Sequence, residues 1–479
     1  MIHLPLGHRT ALRPLSAVMA GGIFRLVLSS GGRIALQLLL MPALARILTP
    51  DAFGLMAMVM PIVVFTAILA EAGLVTGLVR AEVDLDAESS AFWLSTAAGL
   101  LGAACAAGLA FPMAWVSHQP QAARLLFALA PCLALSGAAA VPSARLQRRG
   151  EFGTFGRIEL IAAAVGAASA LVAALAGWNV FALAAQQLTL AAARLIGGLL
   201  ASGFRPRLRF QAAGVRQIVE QSSPMLGANL LAYLSRSLDN LLIGLLVGAR
   251  PLGFYATAYQ VIQAPEYVLG ASARTTALPA IAQAQSRPEG AAVYFAALRL
   301  VAMAGAPIAI GCSLEAAPLV RLVLGPAWAP AAALAAILAP LGLVWSCFQL
   351  NTAVLAGLGD LRAQMRSSLI TSVLGILGIL GGLPWGVQGV ALGYAIGATV
   401  SALPNFFYVL LAFDMPAHRA VEPFVQPLVA GAGMALALKW WMASSALASP
   451  LLQVSGAGVV GLTAYGFGWM AFTVLTLDL

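Results

Sequence analysis

The stretch that decides the fold runs from Tyr233 to Gln260 and reads YLSRSLDNLLIGLLVGARPLGFYATAYQ. It is largely apolar and long enough to cross a bilayer, yet it contains Arg236, Asp239 and Asn240. A charge near the bilayer centre costs from about 2.5 to over 10 kcal/mol, so such residues usually face a protein interior or an aqueous cavity. Arg236 and Asp239 are three residues apart, which places them on one helix face within pairing distance. The stretch therefore predicts a membrane-spanning helix with a polar face turned away from lipid.

The composition of the whole chain agrees with this prediction. Of the 479 residues, 61% are hydrophobic and 9% are charged, and the mean hydropathy is +0.92. A water-soluble domain needs far more charge to cover its surface, so the composition indicates a polytopic membrane protein. A transmembrane β-barrel would show alternating segments of about 10 residues, whereas this chain has long unbroken apolar runs. The predicted fold class is all-α.

The apolar runs predict about fourteen transmembrane helices, because each span needs about 20 residues. The motif PDAFGLMAM, which begins at Pro50, is echoed about 200 residues later by PLGFYATAY, which begins at Pro251, and this indicates two parallel repeats. The predicted domains are an N-terminal lobe of six helices (1–203), a basic linker (204–216), a second six-helix lobe (217–423) and two C-terminal helices (424–479). The spans lie near 19–47, 53–79, 91–116, 122–144, 157–177, 180–202, 217–248, 252–282, 291–322, 330–357, 364–383, 387–412, 424–446 and 452–476.

The net charge of +9 is best explained by membrane topology. In a soluble protein it would suggest nucleic acid or anionic lipid, but cytoplasmic loops of membrane proteins collect Arg and Lys. With a cytoplasmic N-terminus, about fifteen arginines fall inside and about four outside, so both termini are predicted to be cytoplasmic. The basic segment FRPRLRF (204–210) fits an inter-lobe linker, with a site for acidic lipid headgroups as the alternative.

The sequence contains no pattern for a metal, a cofactor or a catalytic domain. The loops are short, no GxxxxGK[ST] phosphate loop is present, and the cysteines lie singly in apolar runs without CxxC spacing. Asp84 and Asp86 form a D-x-D pattern that is best interpreted as part of a solvated acidic loop over 80–90. We therefore expect no enzymatic activity. The four cysteines are Cys105, Cys132, Cys312 and Cys347.

Ionisable residues within the predicted spans are the candidates for function. Six are arginines and three are carboxylates, so a cationic surplus remains. The structural alternative is that the acids pair with neighbouring arginines while Arg194 and Arg299 reach toward the membrane surface. A surplus of guanidinium groups suits an anionic ligand, since arginine offers a two-pronged fork that matches phosphate. The residues are Arg25, Arg33, Arg194, Arg236, Arg274 and Arg299, with Glu71, Asp239 and Glu266.

Several segments resemble the signatures of a known family. The chain looks like a Wzx-type flippase of the polysaccharide transporter family, in the multidrug/oligosaccharidyl-lipid/polysaccharide exporter superfamily. The resemblance covers about 20–415, and helices 13–14 match it in hydropathy. The segments that carry it are ALARILTPDAFGLMAM (43–58), AEAGLVTGLVR (70–80), RSLDNLLIGLLVGARPLGFYATAYQ (236–260), TTALPAIAQAQ (275–285) and LVRLVLGPAWAPAAALAAILAP (319–340).

The resemblance implies two six-helix lobes around a central cavity, and alternating access that moves an undecaprenyl-pyrophosphate-linked oligosaccharide across the bacterial inner membrane. Membrane lipids, a polysaccharide polymerase and glycosyltransferases are the other implied partners. The resemblance implies that cavity cations hold the pyrophosphate and that carboxylates couple transport to a proton or sodium gradient. The positions open to substrate binding are Arg25, Arg33, Arg236 and Arg274, and those open to ion coupling are Glu71, Asp239 and Glu266.

Two other function classes are weighed against this one. A drug–cation antiporter of the same superfamily would need cavity carboxylates that outnumber arginines, the reverse of the pattern here. A membrane-embedded polymerase or glycosyltransferase would need a sizeable catalytic loop. The flippase is the favoured hypothesis, and the sequence leaves open whether its glycan is an exopolysaccharide, a capsule or a lipopolysaccharide unit.

Overall fold

The computed structural model describes residues 31–71, 85–207, 237–284, 286–444 and 449–477, together with positions 29, 230 and 233. In this part of the chain there are α-helices, short 3₁₀ turns and no strand, which confirms the all-α prediction. In chain order the helices are α1 (31–47), α2 (Pro50–Glu71), α3 (Leu85–Ser117), α4 (Pro120–Arg148), α5 (Phe152–Leu175), α6 (Val180–Ser202), α7 (Ser237–Leu246), α8 (Ala249–Gln283), α9 (Arg287–Leu314), α10 (Ala316–Val323), α11 (Ala331–Gly357), α12 (Leu361–Gly382), α13 (Gly386–Ala412), α14 (Glu422–Ser444) and α15 (Pro450–Leu477).

The helices have the length and composition of membrane spans. Among the described residues, nine helical segments are long and apolar enough to cross a membrane, and one of them, Arg362–Ala412, contains both α12 and α13. Each of the fourteen predicted spans overlaps a helix of the structure. The protein is therefore a multi-pass membrane protein.

The ninth predicted span, 291–322, differs from the structure because the chain breaks at Glu315. This residue separates α9 from α10, and its backbone leaves helical geometry at φ −96° and ψ 20°. The side chain is 6% exposed, and Oε1 has no hydrogen-bond partner among the described residues. The break thus places a buried acid where the sequence predicted an uninterrupted helix.

The chain forms two compact units, Met1–Ala249 and Arg250–Leu479. The lobe boundaries drawn from the sequence, with a linker at 204–216, stay a prediction, because residues 208–229 lie outside the described part of the chain. The described start of that linker is held by α3. The indole Nε1 of Trp93 donates to the Arg207 carbonyl at 2.9 Å, and the Arg207 backbone N–H donates to Ser89 Oγ at 3.1 Å.

In the first unit, α4 is the central helix, packing against α2, α3 and α6. Its apolar side chains Leu125, Leu126 and Leu129 are fully buried. The α5–α6 pair is joined by a hydrogen bond of 2.6 Å between the hydroxyls of Ser169 and Thr189. Lipid tails are as apolar as leucine, so packing and such interhelical hydrogen bonds hold membrane helices together.

In the second unit, α12 and α13 form the closest helix pair, and glycine is the reason. A Cβ added at Gly378 would lie 2.1 Å from the Gly393 carbonyl oxygen, and one at Gly382 would lie 2.1 Å from the Gly389 oxygen. Only glycine permits backbones to approach so closely.

The two C-terminal helices α14 and α15 pack against α9. Arg299 on α9 donates to the Gln426 side-chain oxygen on α14, and its guanidinium lies 5.7 Å from the Trp469 ring centroid on α15. Tyr465 on α15 donates to the Met303 carbonyl at 3.0 Å. Arg299, which is exposed, thus makes contacts that join three helices.

Candidate functional site

Of the seven residues predicted for substrate binding and ion coupling, the structure describes the side chains of Arg33, Asp239 and Arg274. Arg25 and Arg236 lie outside the described residues. The backbones of Glu71 and Glu266 lie at the end of α2 and within α8, but their side chains are outside the described part. The predicted Arg236–Asp239 pair therefore stays a prediction.

Arg33 belongs to a cluster of three charged residues from α1, α5 and α6. The guanidinium of Arg194 on α6 contacts both carboxylate oxygens of Glu159 on α5. Arg194 Nε lies 2.6 Å from Glu159 Oε1, and Arg194 Nη2 lies 2.7 Å from Glu159 Oε2. Arg33 on α1 reaches the same carboxylate from farther away, with Nη1 3.5 Å from Oε2. Glu159 is 15% exposed, whereas Arg33 remains 42% exposed. We call these three residues the Glu159 cluster.

Local sequence explains why these helices meet here. Gly32 lies beside Arg33 and packs against Leu160, whose Cδ1 would be 3.3 Å from an added Cβ. A small residue at this point lets α1 approach α5 at the level of Glu159. The neighbouring arginine is thereby brought within reach of the carboxylate.

The Glu159 cluster carries two positive charges against one negative charge. Because Arg194 already engages both carboxylate oxygens, Arg33 is the more loosely held of the two cations. Such an arrangement attracts an anion, and a guanidinium binds phosphate in a charge-assisted, two-pronged manner. Arg194, expected to reach toward the surface, instead binds Glu159.

Sequence reasoning missed Glu159, although it lies within the predicted fifth span. Its position two residues after Arg157 suggests a helix edge, and nothing in the local pattern marks it as buried. The sequence did contain one signal for the pair: an acid and an arginine, Glu159 and Arg194, lie on consecutive predicted spans. Together with the buried Glu315, Glu159 raises the number of carboxylates considered within predicted spans from three to five.

Asp239 and Arg274 have different environments. Asp239 on α7 is 5% exposed, and its Oδ1 accepts a hydrogen bond of 2.7 Å from the backbone N–H of Asn240. Arg274 on α8 is exposed. A buried acid and an exposed cation are compatible with ion coupling and ligand binding respectively, and both roles stay predictions.

A second charged cluster lies where α3, α4 and the start of the basic linker meet. Glu88 is 2% exposed and pairs with Arg145 at 3.2 Å and with Arg148. The Arg145 guanidinium also lies 5.6 Å from the Phe204 ring centroid, and Arg207 pairs with Asp86 at 3.2 Å. The 80–90 segment is therefore not solvated throughout, because α3 begins at Leu85 and buries Glu88. These contacts indicate a structural role for the cluster.

Among the described residues, no group of three or more His, Cys, Asp or Glu side chains is placed to hold a metal ion. The cysteines Cys105, Cys132, Cys312 and Cys347 are free thiols. The chemistry available in the described part of the first unit is thus charge recognition by arginine.

The fold is shared with multi-pass transport proteins. The chain superimposes on the lipid II flippase MurJ in its inward closed conformation with a TM-score of 0.77, at 12% identity, over 94% of this chain and 99% of that one. An inward-facing multidrug resistance MATE family transporter gives a TM-score of 0.63, at 14% identity, over 80% of this chain and 94% of that one. At such identities the likeness defines the fold alone.

Sequence comparison defines the family. The chain belongs to the polysaccharide biosynthesis protein family, whose profile matches residues 43–333. It is 27% identical over 305 residues to the succinoglycan biosynthesis transport protein ExoT of Rhizobium meliloti (strain 1021), which is 63% of this chain and 62% of ExoT. It is 24% identical over 393 residues to the lipopolysaccharide biosynthesis protein WzxC of Escherichia coli (strain K12), which is 79% of this chain and 78% of WzxC. The match to ExoT thus spans less than two thirds of that relative.

Proposed function

We propose that the protein is a transporter that flips undecaprenyl-pyrophosphate-linked oligosaccharide repeat units across the bacterial inner membrane by alternating access. Membership of the polysaccharide biosynthesis protein family supports a role in making an exopolysaccharide, a capsule or a lipopolysaccharide. The fold shared with a lipid II flippase supports a lipid-linked substrate. A polysaccharide polymerase and glycosyltransferases are the proposed functional partners, and the protein acts as a transporter rather than as an enzyme.

The observation that carries the proposal is the Glu159 cluster, in which Arg33 of α1 meets the membrane-length helices α5 and α6. A pyrophosphate group is a strong anion, and its passage through a low-dielectric region needs compensating positive charge. The net positive cluster supplies it, and the exposed guanidinium of Arg33 is the group best placed to leave the shared carboxylate for a phosphate oxygen. Substrate binding is proposed for Arg25, Arg236 and Arg274 as well.

Coupling to a proton or sodium gradient is proposed for the carboxylates Glu71, Asp239 and Glu266. Asp239 is the one whose burial is described, at 5% exposure. A buried carboxylate is stable when a proton, a cation or an arginine neutralises it. Which of these partners it holds can therefore change with the transport state. We also propose that both termini are cytoplasmic, on the strength of the arginine distribution.

The alternative function, cation-coupled multidrug antiport, is supported by the fold shared with MATE transporters. Cationic drugs would require negative charge in excess at the binding site. The described cluster has the opposite sign, with two arginines on one glutamate. Charge therefore favours the flippase.

The test is substitution of Arg33 in a strain whose chromosomal copy of the gene is deleted. We expect Arg33→Ala to reduce polymer export by about tenfold or more, the equivalent of ~1.4 kcal/mol or more of lost phosphate stabilisation. Lipid-linked repeat units should accumulate at the same time. Arg33→Lys should retain part of the export, because it keeps the charge and loses the fork. Export is measured as secreted polymer, and membrane abundance by immunoblot.

The matched control is Arg419→Ala, which removes an arginine that pairs with Glu422 at 3.1 Å in an exposed turn. Export by this variant should equal that of the wild type. Since Arg194 still neutralises Glu159 in Arg33→Ala, that variant should fold normally. Wild-type export by Arg33→Ala at equal abundance would refute the role of the cluster.

A further inference from the structure

The break between α9 and α10 holds a buried acid that the charge clusters do not include. Glu315 follows the last turn of α9 and precedes α10, a helix of eight residues. It is 6% exposed, and its side chain makes no capping hydrogen bond to α10. No group in the described part of the chain donates a hydrogen bond to its Oε1. Buried polar groups in folded proteins are nearly always partnered, so this carboxyl group lacks a partner that its burial requires.

The surroundings of this carboxyl group are apolar. Helix α10 packs against α9, α11 and α15, and neither α11 nor α15 contains a charged residue. The preceding Leu314 packs with Leu438 of α14 and Ala457 of α15 in one apolar cluster. Ser313 Oγ donates to the Ala336 carbonyl on α11 at 2.6 Å, so this hydroxyl hydrogen is directed away from Glu315. A negative charge on Glu315 would therefore be buried without compensation.

The cations on the helices around the break are engaged elsewhere or exposed. Arg299 of α9 donates to Gln426. Arg321 of α10 and Lys439 of α14 are exposed, and neither donates to Glu315 Oε1. The charged residues at the far ends of α9 and α14 are Arg287, Glu289 and Glu422.

Two uncharged titratable groups complete these surroundings. The Cys312 thiol lies one turn before Glu315 on α9 and is half-buried, and the Tyr465 hydroxyl on α15 donates to the Met303 carbonyl at 3.0 Å. Neither supplies a positive charge. The described residues thus leave Glu315 to be neutralised by a ligand.

A proton fits this site better than a metal cation does. A hard metal cation takes about six oxygen ligands, but the described residues contain no group of three or more His, Cys, Asp or Glu placed to hold one. The Gly311 carbonyl, one turn earlier on α9, already accepts the Glu315 backbone N–H at 2.9 Å. A proton needs only one carboxylate oxygen.

The site lies at the end of α9 that the arginine distribution assigns to the periplasm. The helix begins at Arg287 on the predicted cytoplasmic side and has 28 residues. At 1.5 Å per residue it is roughly 40 Å long, about the thickness of a bilayer with its headgroups. Glu315 is therefore on the side from which a proton gradient across the inner membrane supplies protons.

We propose that Glu315 is a proton-binding site at the α9–α10 break. The carboxylate takes a proton from water on the periplasmic side and becomes a neutral carboxylic acid, the form that the apolar packing of α10 accommodates. Return of the proton to water restores the charge and destabilises that packing. This deepens the proposed coupling to an ion gradient, on which its role in transport rests, by naming the proton as the ion and Glu315 as a carboxylate that binds it.

The bound proton is tested by infrared difference spectroscopy of the purified full-length protein in detergent near neutral pH. The wild-type spectrum should contain a carbonyl band of a protonated carboxylic acid that Glu315→Gln lacks, and the band should shift in D₂O. It should be the same in sodium and in choline buffers. Loss of a carboxylate band instead of an acid band, or loss of the acid band when sodium is added, would overturn the proposal.

The link to packing is tested by the pH dependence of the melting temperature. Because the native state binds a proton that the unfolded state releases, the stability of the wild type should fall as pH rises, whereas glutamine stays neutral. The melting temperature of the wild type relative to Glu315→Gln should fall by about 2 °C or more between about pH 6 and about pH 9. A difference that stays constant with pH would overturn the link.

Two control variants separate Glu315 from other charges. Glu289→Gln removes an exposed acid in the first turn of the same helix, so it should delete no protonated-acid band and should melt with the pH dependence of the wild type. Lys439→Gln removes the exposed amine on α14. Its acid band should equal that of the wild type. A change in that band would assign the neutralisation of Glu315 to Lys439 and refute the proton site.

These measurements need no transport, so their results are separate from that of the Arg33 export assay. A protein with a protonated Glu315 that exports normally as Arg33→Ala would refute the role of the Glu159 cluster and retain the proton site. Export that depends on Arg33 in a protein without the acid band would refute the proton site and retain the proposed function. Glu315→Gln cannot exchange a proton, so its export should fall about fivefold or more at equal abundance; wild-type export would refute the coupling role.

Discussion

At the residue scale, this chain compensates buried and half-buried charges by sharing carboxylates between arginines. Glu159 pairs with both Arg33 and Arg194. Glu88 pairs with both Arg145 and Arg148. A carboxylate that receives two cations is well compensated, whereas each arginine receives only part of a counter-charge. The Glu159 cluster is suited to exchange one of its partners for a ligand, because Arg33 is loosely held. The Glu88 carboxylate is almost closed to solvent, which indicates a structural role for its cluster.

Glu88→Gln tests the structural role of the second cluster. The side chain is 3% exposed, and its partners Arg145 and Arg148 are 14% and 29% exposed. Removing one partner of a fully buried pair costs roughly 3–5 kcal/mol, and the partial exposure of the arginines reduces this to about 2–3 kcal/mol. We expect that loss in the free energy of unfolding, measured by denaturation of the detergent-solubilised protein.

Glu422→Gln provides the control, because Glu422 is 50% exposed and its partners His418 and Arg419 are also exposed. Exposed pairs contribute about 0–1 kcal/mol. Equal stabilities of the two variants would contradict the assignment of Glu88 as the buried structural carboxylate.

At the element scale, the second unit depends on a glycine contact between α12 and α13. The backbones meet at Gly378–Gly393 and Gly382–Gly389, where no Cβ fits. Their close approach is therefore important for the stability of the second unit.

Gly378→Ala should force the two helices apart, because its Cβ would lie 2.1 Å from the Gly393 carbonyl oxygen. Overpacking typically costs about 1–3 kcal/mol. We expect a lower melting temperature. Gly381→Ala on the same helix is the comparison, since an added Cβ there meets nothing within 4 Å. The two variants melting at the same temperature would show that the contact is not required.

At the scale of the whole molecule, the arginine distribution predicts which side of the membrane each turn occupies. The turn between α3 and α4 and the turn between α4 and α5 lie at opposite ends of α4, a span of 29 residues. Arg145, Arg148 and Arg149 lie at the second end, so the positive-inside rule assigns that end to the cytoplasm.

Single cysteines at Gln121 and Glu151 test this topology in a variant whose four native cysteines are replaced by alanine. A membrane-impermeant maleimide added to intact cells should label Gln121→Cys and should label Glu151→Cys only after permeabilisation. The reverse labelling pattern would show that the topology is the opposite of the predicted one and would contradict the proposed direction of transport.

The sequence by itself determined the class of protein, the membrane helices and the side on which each turn is expected. These properties follow from summed hydropathy and from the count of arginines, which depend on composition along the chain and not on which residues meet. The sequence did not predict the break at Glu315, because the residues on either side of it are as apolar as those of a continuous membrane span.

Only the tertiary structure decided which charges pair and which polar groups stay without partners. Arg33, Glu159 and Arg194 are up to 161 positions apart along the chain (194 − 33), and their meeting depends on the rotation and contact of three helices. Likewise, only the packing of neighbouring helices shows that the buried Trp345 Nε1 and Asn351 Nδ2 have no hydrogen-bond acceptor among the described residues. Local sequence fixes how polar a helix is, but only packing fixes what each polar group faces.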